Sequence, residues 1–152
     1  MREGGVSGPR PLPNEERTMS FYKQFGTSED LEVNGIWLDY GDAGRIKIAR
    51  AGGANRRFAT VLERKTRPYR RALDNGTIDP KVIERVMAEV FAETVILGWE
   101  DVVGRDGEPL PYTFDNVVQL LLDLPDLFLD IQAQAQRAAL FLQANLEAAA
   151  KN

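Results

Sequence analysis

The stretch from Val82 to Leu97 constrains the fold more than any other part of the chain. Val82, Ile83, Val86, Met87, Val90, Phe91, Thr94, Val95 and Leu97 recur at spacings of three and four, with Lys81, Glu84, Arg85, Glu89 and Glu93 between them. In helical conformation the first set forms one buried face and the second one wet face. Asp79 is placed to cap this helix, Pro80 fits its first position, and Ile78 can staple onto Ile83. Gly98 supplies a stop, with Trp99 where the chain leaves the helix. Val102 and Val103 with Leu110 and Tyr112 then suit a short hairpin across the Asp106-Gly107 turn.

The segments on either side must supply what this helix packs against. Upstream, Ile36, Leu38 and Tyr40 alternate, and after Gly41-Asp42-Ala43-Gly44 the run Arg45-Ile46-Lys47-Ile48 alternates again, which predicts a β-hairpin. Asn55 is a plausible cap for a helix carrying Phe58, Val61 and Leu62, and Pro68 should kink or restart it before the stop at Asn75-Gly76. Downstream, Thr113 can cap a helix over Phe114–Asp123 that is apolar on most sides. Pro125 opens a last helix with the stripe Leu127, Phe128, Ile131, Ala135, Ala138, Leu142 and Leu146, widened by Leu140 and Phe141. The expected class is a mainly α-helical α+β fold: an N-terminal β-hairpin, about four helices and a short hairpin-like connector. Residues 1–18, rich in Gly, Pro and charge, are expected to be a disordered leader, with Met19 a possible biological start. A single domain over 19–147 and a frayed end at 148–152 complete the expected layout.

Composition removes most chemistry. The 152 residues include no cysteine and no histidine, which excludes disulfides, thiol nucleophiles and Cys-ligated zinc, and takes away the commonest general base. The carboxylates Asp101, Asp106, Glu108, Asp115, Asp123, Asp126 and Asp130 do not follow EF-hand spacing and read as helix caps and dipole partners. Ala51-Gly52-Gly53-Ala54 lacks the spacing and lysine of a phosphate loop. The sequence therefore predicts no enzyme, no metal and no cofactor. No signal-peptide core and no membrane-spanning apolar run are present, so a host-cytoplasmic protein that does not engage a membrane is expected.

Charge is unevenly spread. Between Arg45 and Arg71 ten basic residues face one acid, a net +9, so the rest of the chain carries −13 to reach the total of −4. Arg56, Arg57, Arg64, Arg67, Arg70 and Arg71 form the candidate basic patch. Interleaved with Phe58 and Tyr69, it suits nucleic acid, but the acidic total and the lack of a reader motif favour a match to an acidic partner or to the acidic remainder of the chain.

At Gly98-Trp99, Asp106-Gly107-Glu108-Pro109-Leu110-Pro111-Tyr112-Thr113, Asn116 and Pro125-Asp126-Leu127-Phe128, the sequence resembles the tail assembly chaperones of long-tailed bacteriophages and prophages. Leu31–Gly41 with Ile46–Arg50 resembles that group's opening hairpin, and Asn55-Arg56-Arg57-Phe58 its first helix; the likeness runs from about Phe25 to Phe141. It implies a non-enzymatic protein that binds the tape-measure protein and helps gather tail-tube subunits around it. Phe128, Leu140, Phe141 and Leu142 are the expected contact positions, the competing reading being that these four only fill the core. A structural virion or tail-completion protein and a nucleic-acid-binding module are the alternative functions; self-association is also open. In the resembling family ribosomes often slip near the end of the reading frame, and Ala150-Lys151-Asn152 permits a slippery A-AAA-AAC heptamer, so a longer minority product is a further expectation.

Overall fold

The computed structural model describes residues 20–137 and 140–142. Two short helices come first, α1 (Phe21–Phe25) capped by Ser20 and α2 (Glu29–Asn34) capped by Ser28, whose hydroxyl accepts from the Leu31 N–H. Gly35 ends α2 at a φ of 96°, where a Cβ would lie 2.8 Å from Leu97 Cδ1, so glycine is required both for backbone and for space. Neither helix was expected, because each is only a turn or two long and gives no periodic signal.

The predicted hairpin is present. Strands β1 (Ile36–Asp39) and β2 (Arg45–Ile48) pair antiparallel with Trp37 opposite Lys47 and Leu38 opposite Ile46, joined through a 3-10 turn at Gly41–Ala43. Ile36, Ile46 and Ile48 point into the core, while Trp37 faces out beneath the Arg45 guanidinium, 4.2 Å from its ring. Helix α3 (Arg56–Thr66) runs into a 3-10 turn at Arg67–Tyr69, where Pro68 withdraws a donor, and α4 (Arg70–Asn75) stops at left-handed Gly76. The kink and stop agree with the sequence. Asn55 does not: its side chain makes no capping bond, and its Nδ2 instead donates to the carbonyls of Arg50 (2.8 Å) and Thr94 (2.9 Å).

Helix α5 (Pro80–Thr94) has the expected start, with Asp79 accepting from the Lys81 N–H and Pro80 in the first turn. Its end differs from expectation. The helix stops at Thr94, and Ile96–Glu100 forms β3, which pairs antiparallel with β2 and completes a sheet of order β1-β2-β3. Gly98 is thus no helix stop but a mid-strand residue opposite Lys47, beside a register shift. The cause is tertiary: the Thr94 carbonyl is taken by Asn55 and the Val95 carbonyl by the Ala49 N–H, so neither continues the helical ladder.

From β3 the chain enters the connector, where Leu110 N–H donates to Val102 O and Val103 bridges Pro109. Tyr112 leaves the expected hairpin pairing and donates its hydroxyl to Ile96 O at 2.6 Å, while Trp99 Nε1 donates to Leu110 O at 2.9 Å. Thr113 caps α6 (Phe114–Asp123) as expected, and Pro125 opens α7 (Pro125–Gln136). The α7 stripe buries Phe128, Ile131 and Ala135, but the helix ends at Gln136 with extended Arg137; residues 140–142 are helical again. The leader at 1–18, the frayed end at 148–152, Ala138 and Leu146 lie outside the described residues.

A main core joins these pieces, with a smaller cluster of Val61, Val86 and Val90 beside it and Phe58 packed against both. Phe91 stands edge-on between Phe58 (5.7 Å) and Phe128 (5.3 Å), linking α3, α5 and α7. The sheet closes over it through Ile36, Ile46, Ile48 and Ile96, with Val117, Leu121, Ile131 and Phe141 from the other side. The fold is therefore α+β and mainly helical, with more helices than the sequence suggested.

Candidate partner-binding surface

The last two helices meet at Leu124, which ends α6 and precedes Pro125 at the first turn of α7. Proline biases the preceding residue away from helix, and Leu124 has an extended φ of −126°. This elbow turns the buried sides of both helices inward, Val117, Val118 and Leu121 from α6 and Phe128, Ile131 and Ala135 from α7. Two leucines are left outside: Leu124 is 47% exposed and Leu129 63% exposed.

A groove lies on either side of the elbow. On the connector side a groove of about 630 Å³ runs between Val103–Asp106 and Leu120, Leu124, with Arg105 and Asp123 3.4 Å apart at its rim and Gln119 donating to Asp123. The other groove, about 350 Å³, runs between α5 and the elbow, lined by Ile83, Met87, Leu121, Pro125, Phe128 and Leu129 among others. Glu84 is the single charged residue in that second lining. An open apolar trough flanked by an exposed leucine and an adaptable methionine can receive the apolar side of a helix. Nothing in it arranges acid, base or nucleophile.

Of the contact positions expected from sequence, Phe128 and Phe141 are buried, and Leu140 is partly buried against the same core. Leu142 is partly buried. In the folded chain Phe128 and Phe141 belong to the interior, and Phe128 also lines the second groove. The exposed apolar surface at the elbow is carried by Leu124, part of the apolar run expected to be buried or partner-covered, and by Leu129, which sequence reasoning passed over. The signal for Leu129 was its phase: it falls outside the stripe of Leu127, Phe128, Ile131 and Ala135.

Three of the six arginines of the basic patch, Arg64, Arg67 and Arg70, pair with the chain's own acids. Arg64 donates to both Glu93 oxygens at 2.8 Å, Lys65 lies 3.5 Å from Glu89, and Arg67 (2.9 Å) and Arg70 (3.5 Å) share Glu63. Arg57 donates to the Glu93 carbonyl at 3.3 Å. Hydrogen bonding from Arg64 holds the Glu93 carboxyl below the ordinary carboxylate range, and Arg67 does the same for Glu63. Arg56 and Arg71 are exposed and form no ion pair among the described residues. Of the ten bases in the +9 segment, Arg45, Arg50, Arg64 and Lys65 pair with acids outside it, Glu100, Glu32, Glu93 and Glu89, while Glu63 is the segment's own acid.

Three further polar groups anchor the scaffold. Buried Glu32 accepts from the Thr27 hydroxyl, from Arg50 Nη1 (2.8 Å) and from the Ala54 N–H (2.8 Å). Burial alone would raise its pKa, but these three bonds outweigh it and hold the carboxyl below its usual value. Tyr40 donates to Asp130 at 2.6 Å, fastening α7 to the hairpin; burial and that carboxylate push the phenol upward. Burial also raises Tyr112. Among the described residues no group of His, Cys, Asp and Glu is arranged to hold a metal ion, and no helix is long and apolar enough to cross a membrane.

Comparison with known families matches residues 53–152, from just before α3 onward, to the family described as YdaY prophage protein. Neither the comparison with curated proteins nor that with solved structures gives a match.

Proposed function

The chain belongs to the YdaY prophage protein family, and from that premise we propose that it is a tail assembly chaperone that binds a tape-measure protein and assists tail-tube assembly around it. The observation that carries this reading is the elbow, with Leu124 and Leu129 exposed beside an open apolar groove on α5. A tape measure is a long amphipathic helical polymer whose bare apolar stripe aggregates. A groove that takes up part of that stripe keeps the polymer soluble until tube subunits cover it. The role asks for binding and release, without catalysis, metal or cofactor, in the host cytoplasm.

Co-expression tests the reading. The tape-measure protein of the same prophage is expected to co-purify with this chain and to move from the insoluble to the soluble fraction in its presence. Failure of both would end the proposal. A stoichiometric copy number in finished particles would point instead to a structural tail component.

A further inference from the structure

The least buried aromatic residues of the described chain sit together on α1. Phe21 is 80% exposed, Tyr22 90% and Phe25 67%, and the helix has no buried residue at all. Phe21 and Phe25 are four apart, so their rings share one side of the helix, with centroids 6.3 Å apart. Three aromatic side chains left in water on one short helix are costly for an isolated chain and are the pattern of a docking arm.

We propose that this arm docks in the α5–elbow groove of a second copy of the chain, and that a reciprocal exchange gives a two-fold dimer. Size and charge support that occupant. The groove, about 350 Å³ and almost wholly apolar, has room for Phe21 and Phe25 while Tyr22 covers Leu129 at the rim. Lys23 is the only charged residue of α1, and Glu84 is the only charged residue of the groove lining, so docking brings one cation to one anion.

The docking itself does not depend on the tail client. Where the groove also receives the tape measure, which rests on the function proposed above, the arm of a second copy keeps it covered until the client displaces it. The chaperone then presents no bare apolar trough while idle.

Sedimentation of the purified full chain, without any client, tests the dimer. Wild type is expected to sediment at twice the chain mass at micromolar concentration. Phe21→Ala with Phe25→Ala, and separately Leu129→Asp, are each expected to raise the dimer dissociation constant by more than about thirtyfold. All three positions are exposed in the single chain, so the variants keep their circular dichroism, and a loss of association with secondary structure retained reports the contact. A monomeric wild type overturns the proposal, as does association that survives either variant. Neither result touches the co-expression experiment, so the two readings fail separately.

Discussion

The two flanks of α5 have opposite character. Toward α3, Glu89 and Glu93 meet Lys65 and Arg64, and Val86 and Val90 pack on Val61. Toward the elbow, Ile83 and Met87 face an open groove with Leu129 exposed at its edge. The sequence advertises the first flank through its +9 segment, and four of its bases, Arg45, Arg50, Arg64 and Lys65, are matched by acids elsewhere in the chain. The apolar excess is what remains unmatched, so the partner is to be sought there.

The sharpest way to break this comparison is at the residue beneath both flanks. Phe91, fully buried between Phe58 and Phe128, should cost about 3–5 kcal/mol of unfolding free energy as Phe91→Ala, read by urea denaturation. A loss under about 1 kcal/mol would mean that the two flanks do not share one core.

Next in size is the polar junction that ends α5. Asn55→Ala strips the buried Thr94 carbonyl of its donor and should cost about 1–3 kcal/mol, with increased hydrogen exchange at Val95–Leu97. An unchanged midpoint would show that Asn55 does not fix the helix-to-strand switch.

That switch also marks the limit of what the sequence discloses. Asp79-Pro80, Thr113, Pro68 and the Gly41–Gly44 turn are local signals, and each was legible because a cap, a missing donor or a turn acts within a few residues. Val95-Ile96-Leu97 fits a helical stripe and a half-buried strand equally well, and the decision rests on Asn55, 39 residues away, and on Ala49. Helices α1 and α2 carried serine caps, but each is a turn or two long and too short for a periodic signal. Glu32 reads as a surface acid until Arg50 and the Ala54 N–H are brought to it. At the candidate site the last two helices were legible as a broad apolar unit. Which of its residues stay outside was not, because Phe128 and Phe141 reach their neighbours only once α5 and the sheet are in place.

A pH series sharpens the polar side of the comparison. The folded-state pKa of Glu32 lies below its ordinary 4.5, so the unfolded chain binds the proton more readily. Its contribution to stability is complete above that value and is lost as pH falls through the folded pKa. The urea-midpoint difference between wild type and Glu32→Gln should therefore hold above pH 4.5 and shrink as the pH falls below it. A difference that grows on acidification would contradict the assigned hydrogen bonds.

The smallest expected effect belongs to the charged flank. Arg64→Ala removes an exposed pair and should change stability by about 0.2–1 kcal/mol, less at high salt. A larger loss would mean that the α3–α5 ion pairs hold the fold rather than decorate it.

The central claim is that the apolar elbow, and not the basic patch, engages the partner. Co-purification of the tape-measure protein with three versions of the chain tests it: wild type, Leu124→Asp with Leu129→Asp, and Arg56→Glu with Arg71→Glu. The account predicts that the elbow variant stays folded and loses the client, while the arginine variant retains it. Retention by the elbow variant together with loss by the arginine variant would contradict the account.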